Sequence, residues 1–472
     1  MIEKLQEKEA ETVRIVETEE SAVDPKLVEQ LAEILSNETE ATVRRFVADV
    51  HQADLADLIG LLSPPHRHRL LRIIHVDLDP DLLFELEDSL RKEMVDILSA
   101  REMADAISEM DSDEAVQVLE DLEQAQQTDI LREVPQEERL DIEKGLQYPE
   151  DTAGRRMQRD FVAVETDWSV GQTIDYLRDE KDLPDEFFDV FVVDGDRNPV
   201  GTISLSRVLR SARDMPMREI MDDTHFIVAA DMEQEELALL FQKYDLSSSA
   251  VVDDTGRLIG MVTMDDVIDV AQEEAEEDIL RLGGVGEEAV TDSVWSSTRK
   301  RFLWLLVNLG TAVLASLVIG QFGATLEEMI ALAVLMPIVA SMGGNAGTQT
   351  LTITVRSLAT KELTAFNALR TIRKEFLVGI LNGVLFAIII GFVAMFWFQD
   401  EEPTRHLLLG VVIASAMVIN MIVAGVFGVI IPLAFDRMRI DPAIASSVFV
   451  TTVTDVVGFF AFLGLAHWIL FT

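Results

Sequence analysis

This sequence specifies a multidomain membrane protein with an all-α superhelical N domain, an α/β tandem pair in the middle and a five-helix transmembrane domain. Three observations predict it. Five apolar stretches toward the C-terminal end are each long enough to cross a bilayer, which takes about 20 mostly apolar residues. A strand and helix pattern occurs twice in the middle of the chain. Helical periodicity alone runs through the N-terminal part.

The N domain is expected over residues 1–150. Units such as Leu55-Ala56-Asp57-Leu58-Ile59, Met94-Val95-Asp96-Ile97-Leu98 and Ala115-Val116-Gln117-Val118-Leu119 carry the period of short amphipathic helices. Ser63-Pro64-Pro65, Asp79-Pro80, Asp111-Ser112-Asp113 and Pro135 punctuate them, so the helices should stack as hairpins into a superhelix. The repeated pair is expected over residues 151–270. Its first copy runs through Phe161 to Val164, a helix near Val170 to Arg178, Val190 to Asp194 and Gly201-Thr202-Ile203-Ser204. Its second copy runs through Phe226 to Val228, Glu233 to Tyr244, Ser249 to Asp253 and Gly260-Met261-Val262-Thr263.

An acidic linker with a plug helix is expected over residues 271–301. As a helix, the stretch from Asp265 puts Asp266, Asp269, Glu273, Glu274, Glu277 and Asp278 on one or two adjacent faces. Like charges three or four residues apart destabilise a helix. A divalent cation is the simplest compensation; a solvated acidic linker is the alternative. Gly283-Gly284-Val285-Gly286 then interrupts the helix.

The transmembrane domain is expected over residues 302–472, with spans at roughly Phe302–Phe322, Ile330–Val355, Phe376–Phe398, Leu407–Phe435 and Ala443–Phe471. Lys and Arg in short flanking loops stay cytoplasmic. Arg299, Lys300 and Arg301 precede the first span; Arg356, Lys361, Arg370, Arg373 and Lys374 follow the second; Arg437 and Arg439 follow the fourth. The opposite loops hold Glu327, Glu328, Asp400, Glu401 and Glu402, with Arg405 against them. The expected location is therefore the cell membrane, an inner membrane, with the N-terminus cytoplasmic and the C-terminus outside. Met1 to Glu20 is acidic and lacks the apolar core of a signal peptide.

Charge is concentrated in the soluble part. From Arg299 onward 11 Lys and Arg face 10 Asp and Glu, which leaves 28 and 74 for the first 298 residues. That surface repels nucleic acid and attracts cations. It is equally consistent with plain solubilisation in a salt-adapted protein. The chain has 0 cysteines, which excludes disulfides and thiolate metal sites. It carries no phosphate-binding Gly-x-x-x-x-Gly-Lys-Ser/Thr loop and no nucleophile with a placed base, so no catalytic residue and no enzyme activity are expected.

Within the spans, Asp455 stands out. A carboxylate at bilayer depth costs roughly 2.5 to 3.5 kcal/mol on insertion scales and normally faces a watery cavity or a partner. Thr451 and Thr452 precede it on the same helical face. Oxygen ligands without Cys or a placed His suit a hard cation such as Mg²⁺, which keeps its waters and is held by one or two carboxylates. A two-fold dimer would bring two copies of Asp455 to one axis. In the second span, Pro337 precedes Gly343-Gly344-Asn345-Ala346-Gly347-Thr348-Gln349. Glycines there permit either local unwinding at a cavity or a close helix contact. Asn345 and Gln349 favour a cavity lining by Gly344, Asn345, Gly347, Thr348 and Gln349.

The repeated middle part resembles a tandem pair of CBS modules, whose signature of Gly, two small or apolar residues, Ser or Thr and then Asp stands here as Gly260, Thr263 and Asp266. The first copy has Gly201 and Ser204, with Arg207 where the acid belongs. Together with the acidic helical N domain, the linker, the Gly-Gly-Asn-x-Gly-x-Gln segment and Thr-Thr-x-Thr-Asp in the last span, the chain resembles the MgtE family of magnesium channels. The resemblance implies a homodimer that conducts Mg²⁺ for uptake and is gated closed by cytosolic Mg²⁺ at acidic domain interfaces. It places the pore carboxylate at Asp455 and a carbonyl site at Thr451. It places the Mg²⁺-sensing acids at Asp105, Glu235, Asp245, Asp266, Asp269, Glu274, Glu277 and Asp278, with Arg101 at one sensor position. An adenine nucleotide at the CBS pair is implied, with the first copy's Arg207 against it. Many relatives have a proline shortly before the pore acid, where this chain has Val448. The alternatives are a secondary divalent cation exchanger and a nonconducting nucleotide sensor; the latter leaves Asp455 unexplained.

Overall fold

The computed structural model describes residues 25–120, 122–181, 183–184, 187–222, 226–286, 294–397, 403–445 and 447–470. Met1 to Glu20, the acidic residues Asp400, Glu401 and Glu402, and Asp292 within the expected linker and plug helix lie outside them. The chain divides into two compact units, one up to Val270 and one from Ala271.

In the first unit, short helices from Pro25–Asn37 to Gln136–Gly145 make up the N domain. Apolar side chains from successive helices, among them Leu31, Leu58, Leu71, Leu83, Met94, Val118 and Ile142, close over one continuous core. Local chemistry fixes where each helix begins. Pro64 and Pro80 occupy first-turn positions, where the missing N–H costs nothing. Ser99 and Glu102 form a reciprocal capping box at the start of Ala100–Ile107. Helix α1 (Ser112–Glu120) begins where Asp111-Ser112-Asp113 ends the preceding turn.

The middle part folds as two matching sheets. Strands β1 (Ala163–Glu165), β2 (Asp189–Val193) and β3 (Pro199–Ser204) form the first, and β4 (Ile227–Ala229), β5 (Ser248–Val252) and β6 (Leu258–Thr263) form the second. In each the first pair is parallel and the second antiparallel, with a register shift at Val192/Val193 and again at Val251/Val252. The repeated sequence pattern has thus become a repeated fold. Phe191, Val193, Ala250, Leu258 and Met261 share a core that joins the two copies. Helix α2 (Gln234–Tyr244) packs on the second sheet through Leu237 and Phe241. The acid-rich helix α3 (Met264–Leu282) leaves β6 directly and buries only Val267 and Val270.

Among the described residues of the second unit, five helices are long and apolar enough to span a membrane. They are α4 (Val294–Gly320), α5 (Ile330–Ala359), α6 (Ala368–Trp397), α7 (Pro403–Arg437) and α8 (Ser447–Leu470). The five spans read from hydropathy therefore hold; the first begins earlier, at Val294, the middle three are longer than read, and the fifth begins later, at Ser447, after the short 3-10 turn Pro442–Ala445. Helix α7 lies at the centre, with Leu409, Val412, Ile413 and Ala416 fully buried against α5, α6 and α8. Helix α5 runs unbroken through Pro337 and through Gly343 to Gln349, and α8 begins at Ser447 and stays helical through Val448. Of the two readings of the glycine segment, the close helix contact is the one the backbone adopts.

Candidate cation sites

The membrane site is built where α5 meets α8. A Cβ on Gly347 would stand 2.4 Å from Cγ1 of Val450, and one on Gly343 would stand 2.1 Å from Nδ2 of Asn420. Only glycine lets these helices approach so closely. Asn420 of α7 is fully buried and donates from Nδ2 to the Val339 carbonyl at 2.8 Å. It also lies against Gly458 of α8, so one amide wedges three helices. Interhelical hydrogen bonds of this kind contribute about 0.6 kcal/mol, at most about 2.

That contact sets Gly344 beside Thr451, whose Cγ2 would be 3.3 Å from a Cβ there. The hydroxyls around it turn back onto their own helix. Thr451 donates to the Ser447 carbonyl at 2.6 Å, Thr452 to Val448 at 2.5 Å and Thr454 to the Thr451 carbonyl at 3.0 Å. One turn further along, Asp455 is half-buried and makes no hydrogen bond or ion pair with any described residue. On α5, Ser341, Asn345, Gln349 and Thr352 form an exposed polar stripe, while Thr348 is half-buried and Gly347 buried. Amides at bilayer depth cannot face acyl chains without losing their hydrogen bonds, so this stripe requires water or another chain.

A second set of carboxylates gathers in the first unit, between the N domain and the second CBS-like copy. Asp266 accepts from the backbone N–H of Thr263 at 3.3 Å and also from its hydroxyl. On the other side it meets Asp113 of α1, within hydrogen-bonding reach. Asp113 is only 3 % exposed, and with both groups ionised its Oδ1 has no hydrogen-bond donor. Burial, and then the facing Asp266, push the Asp113 carboxyl well above the usual range. Burial also raises Asp266, against the pull of Thr263. Glu114 is pushed up to about 7 by burial, Asp111 and Asp81. Glu85 is raised by burial and by Asp269, and Asp269 by burial and Asp265, with Arg156 acting in the opposite direction.

A third group lies in the second unit. Arg281 of α3 bonds both Glu277 and Asp441 of the turn before α8. Asp278 is pushed up to about 6 by burial, by Asp441 and by Glu274. The structure therefore sets Asp278 beside Asp441, with Glu274 near Asp278 and Glu277 joined to Asp441 through Arg281, and brings Asp266 and Asp269 to the N domain.

The remaining sequence-derived residues stand apart. Asp105 is exposed on the helix Ala100–Ile107, and the N-domain partner of Asp266 is Asp113. Glu235 lies in the first turn of α2, and Asp245 ends that helix exposed and left-handed at φ 52°. Arg207 of the first copy pairs with Asp222 at 2.8 Å, where the second copy has Asp266. Sequence reasoning missed Asp113, Glu85, Glu114 and Asp441. The only signal for Asp113 was Asp111-Ser112-Asp113-Glu114, which reads as ordinary helix punctuation. Among the described residues, no three His, Asp or Glu side chains converge as a ready-made metal cage.

The chain is similar to known proteins along most of its length. Residues 336–465 match the family model described as a divalent cation transporter, MgtE, and residues 50–151 match the MgtE intracellular N domain. Residues 153–214 and 217–273 each match a CBS domain. The magnesium transporter MgtE of Thermus thermophilus is 30% identical over 95% of this chain and 99% of its own. That of Enterococcus faecalis is 32% identical over 70% of this chain and 72% of its own, and that of Bacillus subtilis 28% identical over 90% and 93%. Among solved structures, the cytosolic domain of the Mg²⁺ channel MgtE in complex with ATP is 27% identical with a TM-score of 0.47, covering 52% of this chain and 99% of that one. With its N domain, CBS pair and five apolar spans, this multi-pass membrane protein belongs to the MgtE family of magnesium transporters.

Proposed function

We propose that the chain is a homodimeric magnesium channel for uptake, closed by cytosolic Mg²⁺ bound at its carboxylate clusters. The observation that carries this reading is Asp455, a half-buried carboxylate in a membrane span with no partner among the described residues. Thr451 lies one turn away and the polar stripe of Asn345 and Gln349 is exposed on the neighbouring helix. A second copy facing that stripe would supply the walls of a wet path and a second Asp455. A hydrated Mg²⁺ between two such carboxylates is neutralised without being stripped of its water, which it gives up reluctantly.

The gate in this reading is electrostatic. Two unit charges 4 Å apart repel by about 4 kcal/mol at an effective dielectric near 20. Asp113 against Asp266 and Glu85 against Asp269 repel in this way when all are ionised, and Mg²⁺ bridging them would hold the N domain to the CBS pair. Glu274, Glu277 and Asp278 beside Asp441 would act likewise next to α8, with Glu235 and Asp245 as further sensing acids. In this reading the plug is the stretch leading into the first span, described from Val294 to Arg301, and loss of Mg²⁺ would free it to open the pore. The basic flanks support an orientation with the N-terminus cytoplasmic and the C-terminus outside. The intact Thr263 and Asp266 signature also leaves the second CBS copy as the place for an adenine nucleotide, since Arg207 and Asp222 are paired in the first.

Currents through the purified chain in a planar bilayer test the reading. Lowering Mg²⁺ on the side of the N domain is expected to raise conductance at least tenfold, with currents that follow voltage and need no counter-ion. A flux that stops when H⁺ or Na⁺ gradients are removed would establish an exchanger instead.

A further inference from the structure

A crease of about 490 Å³ runs between α6 and α7 at the basic end of the third span. Ile372, Phe376 and the aliphatic stem of Arg373 form one wall, and Ile422, Val423, Val426 and Phe427 the other. We propose that this crease holds one anionic glycerophospholipid, with an acyl chain along the apolar walls and its phosphate on Arg373, with Arg370 beside it.

The argument rests on charge complementarity at a fixed depth. The apolar run of the third span starts at Phe376, three residues beyond Arg373, which is less than one helical turn. Arg373 therefore sits at the boundary where lipid phosphates lie. It is exposed, as is Arg370 one turn earlier, and neither forms an ion pair with a described carboxylate. Neighbouring basic groups differ: Lys374 lies 3.4 Å from Glu375, and Arg356 lies 4.0 Å from Glu362. A neutral lipid would cover the apolar walls equally well but would leave both guanidinium groups without an anion. A guanidinium meets a phosphate through two parallel hydrogen bonds, so an anionic headgroup satisfies what the protein leaves unsatisfied.

Thermal unfolding of the full chain in a neutral detergent, titrated with phosphatidylglycerol, tests this. Phosphatidylglycerol is expected to raise the midpoint, and phosphatidylcholine or glycerol phosphate at equal concentration is not. The half-saturating lipid concentration should rise about fivefold for Arg373→Ala and about 25-fold for Arg370→Ala/Arg373→Ala, since each basic group near an anionic lipid contributes about a factor of five. Arg373→Lys should retain part of the affinity, which separates loss of charge from damage to the fold. Equal stabilisation of wild type and double variant, or equal stabilisation by phosphatidylcholine, overturns the proposal. So does a midpoint shift from glycerol phosphate alone. The chain has 0 cysteines, so Val426→Cys gives a single thiol inside the crease. Efficient cross-linking of that thiol between two copies would mean that a second chain, and not a lipid, occupies the crease, and would also overturn it.

Discussion

Asp455 and Asp113 are the same side chain under opposite constraints. Asp455 is half-buried in a membrane span, with hydroxyls and backbone carbonyls on its face and no second charge among the described residues nearby. Asp113 is almost fully buried in the soluble unit and faces another carboxylate. A lone carboxylate in an apolar span solves its solvation by facing water, which makes it suitable for passing a hydrated cation. A buried pair cannot be solvated that way and must take up a proton or a metal ion. The first arrangement suits conduction, and the second suits a sensor.

Substitutions that separate these two roles break or sharpen the contrast. The largest effect is expected from Asp455→Asn, which should lower Mg²⁺ flux at least 100-fold in liposomes while leaving expression and the unfolding midpoint near wild type. Next comes Asp113→Asn/Asp266→Asn. Removing the repulsion mimics bound ion, so low-Mg²⁺ current should fall about tenfold, or about 1.4 kcal/mol, to the level of the Mg²⁺-loaded wild type. Persistent opening of that double variant at low Mg²⁺ would remove the pair from the gate.

Acidity should act on the sensor as a competitor. Glu114 titrates at about 7, so its ionised fraction falls about eightfold between pH 7.5 and pH 6. The Mg²⁺ concentration for half closure should rise by a similar factor, measured as current against cytosolic Mg²⁺ at the two pH values. The sign for stability follows from the same shift. The folded state keeps the Glu114 proton above the ordinary value of 4.5, so the Mg²⁺-free protein loses stability as pH rises from 4.5 to about 7. Added Mg²⁺ should restore it.

Gly347→Val probes the membrane scaffold. With a Cβ 2.4 Å from Val450, it should force α5 and α8 apart at a cost of about 1–3 kcal/mol, read as a lower unfolding midpoint. The smallest effect is expected from Asp105→Asn. Asp105 is exposed on its helix, so half closure should move by no more than about twofold.

Legibility in the sequence differed between the two regions for the same physical reason that their proposed roles differ. A carboxylate among apolar residues stands out by composition alone, and Asp455, Thr451 and the glycine segment could be picked out directly. The repeated strand and helix pattern likewise survived into two sheets with the same register shift. Asp113 could not be singled out, because it is one of 74 acids in the first 298 residues and sits at a helix start, where acids are common. Its meaning comes from long-range packing of α1 against the start of α3, which no local pattern encodes. Asp441 was hidden in the same way, since its contact with Arg281 spans 160 residues of sequence. The polar stripe of α5 was partly visible through Asn345 and Gln349, but its exposure required the closely packed face at Gly343 and Gly347 to be known.

The claim that the transported ion passes Asp455 is tested most directly by Asp455→Cys in this cysteine-free chain, reacted with a small water-soluble thiol reagent in proteoliposomes. The thiol should react, and reaction should slow several-fold as Mg²⁺ is raised. A folded variant whose thiol stays inert, or reacts at a rate indifferent to Mg²⁺, would contradict a cation path at that position.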